Sequence, residues 1–273
     1  MMGKNYYYFL AGLPEISVDD RKLSLNTQEF RQQAKELLNK KTVDVVELFF
    51  LTADNAQIVR LLQKKEADDT LDTVFPLDVL ETEIEEDSGK LPVYIRNFIR
   101  EYKAENPEAV ENPGLRLTGM YYDFLLAHPN RFIREYFEFS LNIKNLITAL
   151  NCRKHRCDIS REIIGKNSFA ESLRTSNLRD FGLEDYDYVD KVIQLMGETN
   201  LVERERKLDM MIWDFIDTRI TFKYFRLENI VVFLICLSIV ERWIGMKSET
   251  GRRIFTEMVE RFRTSFRFGE EFR

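Results

Sequence analysis

The sequence predicts an all-α fold, and three observations carry that prediction. Gly and Pro together make up about 6% of the 273 residues, roughly half of average usage, so few turns serve a long chain. Apolar residues recur at intervals of three and four along most of the length, the spacing of one helix face. Runs that alternate apolar and polar residues, the mark of a half-buried strand, are nearly absent. Hydrophobic residues make up 44% of the chain, with 21 Phe and 11 Tyr. That is enough for a substantial core, and the chain reads as a single all-helical domain over residues 1–273.

The first helix signal is Asn26 followed by Glu29, a capping box ahead of Phe30, Ala34, Leu37 and Leu38. Residues 42–51 (TVDVVELFFL) are apolar and β-branched enough to leave strand open, with helix preferred. Asp54 then reads as the N-cap of DNAQIVRLLQKK, whose Ile58, Leu61 and Leu62 face inward. Pro92 opens LPVYIRNFIREYKA, where Ile95, Phe98, Ile99 and Tyr102 repeat at helical spacing. The stretch 105–117 (ENPEAVENPGLRL) holds Pro107, Pro113 and Gly114 and reads as a connection.

A long helix is expected from about 130 to 151, and its second half reads FEFSLNIKNLITALNCRKHRC (137–157). Phe139, Ile143, Leu146 and Leu150 recur at four, three and four, with Ile147 beside them. Asn142 and Asn145 sit three apart just off that face. An amide beside a core must find hydrogen-bond partners or cost about 1–3 kcal/mol. Both are therefore read as structural amides that tie the helix to a neighbouring backbone. A metal site in this stretch fails on ligand count and on geometry. Cys152 and His155 share a face, but Cys157 lies five residues from Cys152, well round the helix unless the helix has ended. No CxxC or HxxxH supplies further ligands.

Short helices separated by Gly165 and Gly182 are expected over 158–196. Residues 201–225 form another amphipathic unit, with Leu208, Met211, Ile212, Phe215 and Ile216 inward. A core helix over 229–244 and a basic helix over 248–267 end the chain. The most apolar run, residues 230–240, spans about 16 Å as a helix against the roughly 30 Å of a bilayer core. Glu228, Glu241 and Arg242 fence it, so a buried helix of a soluble chain is expected. The N-terminus lacks the apolar segment and small-residue cleavage site of a secretory signal. Three cysteines (Cys152, Cys157, Cys236) suit reduced thiols in the cytoplasm.

A formal net charge of −6 removes the long-range attraction on which a nucleic-acid binder relies. The charge is uneven. Ten acids and no base lie between Lys65 and Lys90, whereas eight bases stand against five acids from Arg242 to Arg273. Such runs are solvated faces or docking surfaces. No phosphate-cradling loop, nucleophile elbow or dinucleotide fingerprint occurs. The two histidines, His128 and His155, leave little for acid–base catalysis. His128 precedes Pro129 at a helix boundary and reads as a turn residue, and paired acids such as Glu85 and Glu86 lie in a hydrated stretch. Catalytic, cofactor-binding and metal-ligating residues are all expected to be absent.

The run Asn142-Ile-Lys-Asn145-Leu146-Ile-Thr-Ala-Leu150-Asn-Cys-Arg153-Lys154 resembles the recurrent helix of the C-type subunit family of V-type ATPases (the d-type subunit in eukaryotic naming). In that helix an acid, two residues and then Asn-Leu lead toward basic residues. Asn145 and Leu146 match; Asn142 stands where the acid is usual, and Asn151 where arginine is common. The opening KNYYYFLAGLP and the later DNAQIVRLL look like a divergent bacterial branch related to that family. The copy of the pattern expected near 241 reads Glu241-Arg-Trp-Ile and lacks the asparagine.

The resemblance implies a funnel-like array of helical bundles with three pseudo-repeats, about 1–105, 106–200 and 201–273. Such a protein is a non-catalytic central-stalk (rotor) component of a V-type ATPase that links the rotor shaft to the membrane proteolipid ring for ion transport. It would lie in the cytoplasm, peripheral to the inner face of the membrane, bind no nucleic acid, and be a monomer in isolation. The other reading is a stand-alone helical scaffold for protein–protein contact. For the rotor component, Arg253 and Arg261 are candidate partner contacts. They lie eight residues apart, about 80° round a helix, and so could flank one partner.

Overall fold

The computed structural model describes residues 3–104, 112–220 and 225–247. The fold is all-α: the described residues form thirteen helices and no strand. They run α1 (Gly3–Ala11), α2 (Thr27–Leu37), α3 (Lys40–Glu47), α4 (Leu51–Leu62), α5 (Leu77–Glu86), α6 (Val93–Ala104) and α7 (Pro113–Leu126). There follow α8 (Arg131–His155), α9 (Ile159–Glu162), α10 (Ser168–Thr175), α11 (Val189–Met196), α12 (Leu201–Ile220) and α13 (Leu227–Lys247). The chain divides into two compact units. The smaller takes residues 1–46 together with 222–273, and the larger takes 47–221.

In the smaller unit the capping box forms as the spacing of Asn26 and Glu29 requires. The Glu29 N–H donates to Asn26 Oδ1 at 2.8 Å, and the Asn26 N–H donates to Glu29 Oε2 at 3.0 Å. The core is built on α13, whose Ile230, Val231, Leu234, Leu237 and Val240 are all buried. Phe233 stacks on Phe30 of α2, and Phe9 of α1 meets Phe30 edge-on. A helix that is apolar on nearly every side is a central helix. It is also longer than the eleven-residue run suggests. Over residues 227–246 it is long and apolar enough to cross a membrane by length and composition, and more than half of that window is buried in the fold. Glu241, in the sequence copy that lacks the asparagine, accepts the Thr27 N–H at 3.1 Å and so anchors the start of α2.

The larger unit is arranged around α8, which at 25 residues is about 38 Å long. Asn130 caps its start, with Oδ1 accepting the Ile133 N–H at 3.2 Å. Its N-terminal half packs on an aromatic cluster in which Phe137 meets Phe49, Tyr121, Tyr122 and Tyr136. Tyr121 donates its hydroxyl to the Leu48 carbonyl at 2.8 Å. The C-terminal half enters a second cluster, where Phe139, Ile143, Leu146 and Ala149 meet Phe169, Leu173, Phe181, Val189, Val192 and Leu208. On α12, Met211, Ile212 and Phe215 pack against this cluster. Leu146 is fully buried, and truncating such a leucine to alanine typically costs about 2–5 kcal/mol.

Four expectations are corrected. Residues 42–51 are not one element: α3 ends at Glu47, a turn follows, and α4 begins at Leu51. Asp54 is therefore inside the first turn of α4 and does not cap it. Pro113 and Gly114 open α7 instead of lying in a connection, because Asn112 caps the helix and Pro is suited to its first position. Helix α8 runs on to His155 before reversing. The basic helix expected over 248–267, with Arg253 and Arg261, lies outside the described residues.

Candidate functional site

The polar face of α8 holds the residues that the sequence singles out. Asn145 is buried and makes a two-way clamp on one residue of the returning chain. Its Nδ2 donates to the Ile164 carbonyl at 2.7 Å, and its Oδ1 accepts the Ile164 N–H at 3.1 Å. An amide is the one short side chain that offers a donor and an acceptor side by side, which is what the N–H and C=O of a single residue need. Arg174 of α10 adds donors to the carbonyls on either side, Ile163 at 2.9 Å and Gly165 at 2.7 Å. Gly165 turns the chain there with φ of 85°, a left-handed conformation that glycine adopts without strain.

Asn142 is also buried, but its partners are side chains and not backbone. It donates to the Tyr188 hydroxyl at 3.3 Å and accepts from Asn167 Nδ2 at 3.2 Å. Asn167 in turn caps α10 by accepting the Ala170 N–H at 2.9 Å. Burial pushes the Tyr188 hydroxyl well above its ordinary range, opposed in part by the Asn142 bond. Tyr188 therefore stays a neutral hydroxyl in this network.

Arg153, in the last turn of α8, spreads over the segment that follows α10. Its Nη1 donates to the Leu178 carbonyl at 2.7 Å and the Arg179 carbonyl at 3.2 Å, and its Nη2 to the Ser176 carbonyl at 2.8 Å. The guanidinium also lies 3.4 Å from the centre of the Phe181 ring, in cation–π contact. Burial lowers its pKa and the nearby Asp180 charge opposes that shift; an arginine so placed keeps its charge.

Sequence reasoning missed two further clamps. Asp54 is fully buried and accepts the Val74 N–H at 2.9 Å and the Phe75 N–H at 3.0 Å. Glu83 lies inside the acidic run yet is buried, accepting from the Ser88 hydroxyl and from the N–H groups of Gly89 and Lys90. Its spacing of three from the buried Leu80 was the available signal. Glu85 and Glu86 are exposed. His128 Nδ1 accepts the Asn130 N–H at 3.1 Å, inside the turn between α7 and α8.

Among the described residues, no three His, Cys, Asp or Glu side chains are gathered as metal ligands. No buried side-chain nitrogen or oxygen among them lacks a hydrogen-bond partner. An open groove of about 480 Å³ in the smaller unit is lined by Leu10, Leu13, Pro14, Val232, Phe233 and Cys236. Glu15 and Asn229 also line it. The arrangement around α8 fixes loops to a long helix.

Residues 2–265 match the model of a family described as a protein of unknown function (DUF2764), and the chain belongs to that family. Neither the curated proteins nor the solved structures yielded a match.

Proposed function

We propose that the chain is a non-catalytic central-stalk component of a V-type or A-type ATPase. It would join the rotor shaft to the membrane proteolipid ring and transmit torque between them. One observation carries this reading. The residues of α8 that resemble the rotor-family pattern, Asn145 and Arg153, spend their polar groups on the chain's own backbone, Asn145 in buried bonds and Arg153 nearer the surface. A part that passes torque must be stiff, and loops pinned to a 25-residue helix by such hydrogen bonds give stiffness. A catalytic component would instead aim such groups into a cleft.

The test is affinity purification of the tagged full chain from its native cell, with identification of what comes with it. Rotor-shaft proteins and the proteolipid are expected in stoichiometric recovery. If no ATPase component is recovered, the rotor reading is wrong; a single soluble partner in its place would support a stand-alone scaffold. Within an assembled complex, reversing Arg253 and Arg261 to Glu is expected to weaken association, because rim charges set docking rate and orientation.

A further inference from the structure

The end of α8 carries a pair of thiols that the clamps do not use. Arg156 is left-handed, with φ of 59°, and the N–H groups of both Arg156 and Cys157 turn back onto the Cys152 carbonyl, the latter at 3.0 Å. In this reversal the sixth residue folds over the first, and their side chains ordinarily meet as an apolar pair. Here both positions are cysteines, and each thiol is close enough to feel the other. The five-residue separation that puts them on different faces of a continuous helix puts them together once the helix reverses.

A disulfide needs Cα atoms within about 7 Å and side chains that converge. The backbone bond that closes the turn holds the two residues side by side, and the reversal turns both side chains toward one face. Access is unequal: Cys152 is buried and Cys157 is half-buried. Burial, the Cys157 thiol and the nearby Glu162 and Asp158 charges push the Cys152 thiol up to about 12, so Cys152 is the protected member. Lys154 and Arg156 are exposed on this turn, and Asp158 is paired with Arg161 at 3.5 Å, so the two cations outnumber the remaining acid, Glu162, around the pair.

We propose that Cys152 and Cys157 form a reversible thiol–disulfide modification site, closed by an anionic low-molecular-weight disulfide of the glutathione type. The Cys157 thiol gives its proton to solvent, and its sulfur attacks one sulfur of the glutathione disulfide. The S–S bond of the reagent breaks, and the first glutathione leaves and takes up a proton. The Cys152 sulfur then attacks the Cys157 sulfur, and its proton passes to the second glutathione as that leaves. The protein loses two hydrogens and two electrons, and one glutathione disulfide becomes two glutathiones. Closure locks the last turn of α8 beside Arg153, whose guanidinium holds the carbonyls of residues 176, 178 and 179. The site depends on this turn alone and stands independently of the rotor reading.

The experiment treats the reduced full chain with glutathione disulfide, traps free thiols by alkylation in denaturant, and reads mass and thiol titre. The titre is expected to fall from three thiols to one, with no glutathione retained and a peptide linking 152 to 157. Cys152→Ser is expected to hold a stable glutathione on Cys157, because nothing displaces it. Cys157→Ser should keep both of its remaining thiols, and Cys236→Ser should close the ring as the unaltered chain does. A lasting glutathione adduct on the unaltered chain, an unchanged titre, or a bond between two chains would overturn the proposal. Cystamine, a cationic disulfide, is expected to react several-fold more slowly at low salt. An equal or faster rate would refute the anionic assignment.

Discussion

Residues 51–92 and residues 131–181 of the larger unit solve one problem with opposite chemistry. In both, a helix must hold chain that returns past it about 20 residues later. Asp54 grips backbone 20 and 21 residues on, and Asn145 grips backbone 19 residues on. The first region uses buried carboxylates, Asp54 and Glu83, that accept from backbone N–H groups. The second uses an amide and two guanidiniums, Asn145, Arg174 and Arg153, that donate chiefly to backbone carbonyls.

The difference follows from where the gripped backbone sits. Val74 and Phe75 come just before α5, and Gly89 and Lys90 just before α6. There the free groups are N–H donors, and the helix dipole favours an anion. Ser176 is the C-cap of α10 and Leu178 follows it, so the free groups are carbonyls and a cation is favoured. At Asp54 and Arg153 the sign of the clamp thus matches the helix end it serves. Glu83 and Arg174 hold chain that lies between two helix ends, α5 and α6 or α9 and α10, and do not sort this way.

The largest expected effect tests that contrast directly. Asp54→Leu strands two part-buried N–H donors that had bonds to a buried carboxylate, at about 1.5–3 kcal/mol each. A loss of about 3–5 kcal/mol is expected from urea unfolding. Asn145→Leu removes two neutral bonds and should cost about 1–3 kcal/mol by the same measurement. Equal losses would mean that charge does not distinguish the two regions.

A smaller effect separates the two grips within the second region. Arg153→Lys keeps the charge but cannot reach three carbonyls and stack on Phe181 at once, so about 1 kcal/mol should be lost. Amide exchange is expected to quicken over residues 176–183 and to stay unchanged at Ile164, which Asn145 holds without it. Faster exchange at Ile164 would show the two grips to be one cooperative network.

The smallest effect lies at the turn between α7 and α8. Burial, and then the Arg134 charge, hold the His128 imidazole below its ordinary 6.5. The folded state therefore binds the proton less readily than the unfolded chain. This contribution to stability is complete above about pH 6.5 and is lost as pH falls through the depressed value. The urea midpoint should decline slightly between about pH 7 and pH 5, and His128→Gln should flatten that slope. A rise in stability on acidification would reverse the assignment.

Much of the helical framework is legible in the sequence because its causes are local. Spacings of three and four mark the inward faces of α6, α8 and α12, and the capping box of Asn26 and Glu29 forms from residues three apart. Asn142 and Asn145 are legible as polar residues beside a core for the same reason. Their partners are not, since Tyr188 and Ile164 lie 46 and 19 residues away. Asp54 shows the limit most clearly. Read locally it is a helix cap, but a turn at 48–50 starts α4 earlier and leaves Asp54 to meet chain that only the tertiary fold brings back. Glu83 is hidden in an acidic run for the same reason, because composition cannot tell which member of the run faces inward. Cys152 and Cys157 differ again: five residues apart they diverge on a helix and converge at its reversed end. Period and capping are properties of neighbouring residues, so the sequence by itself determines the helices. Which backbone group returns to face each buried polar side chain depends on how the helices pack, and only the tertiary structure decides it.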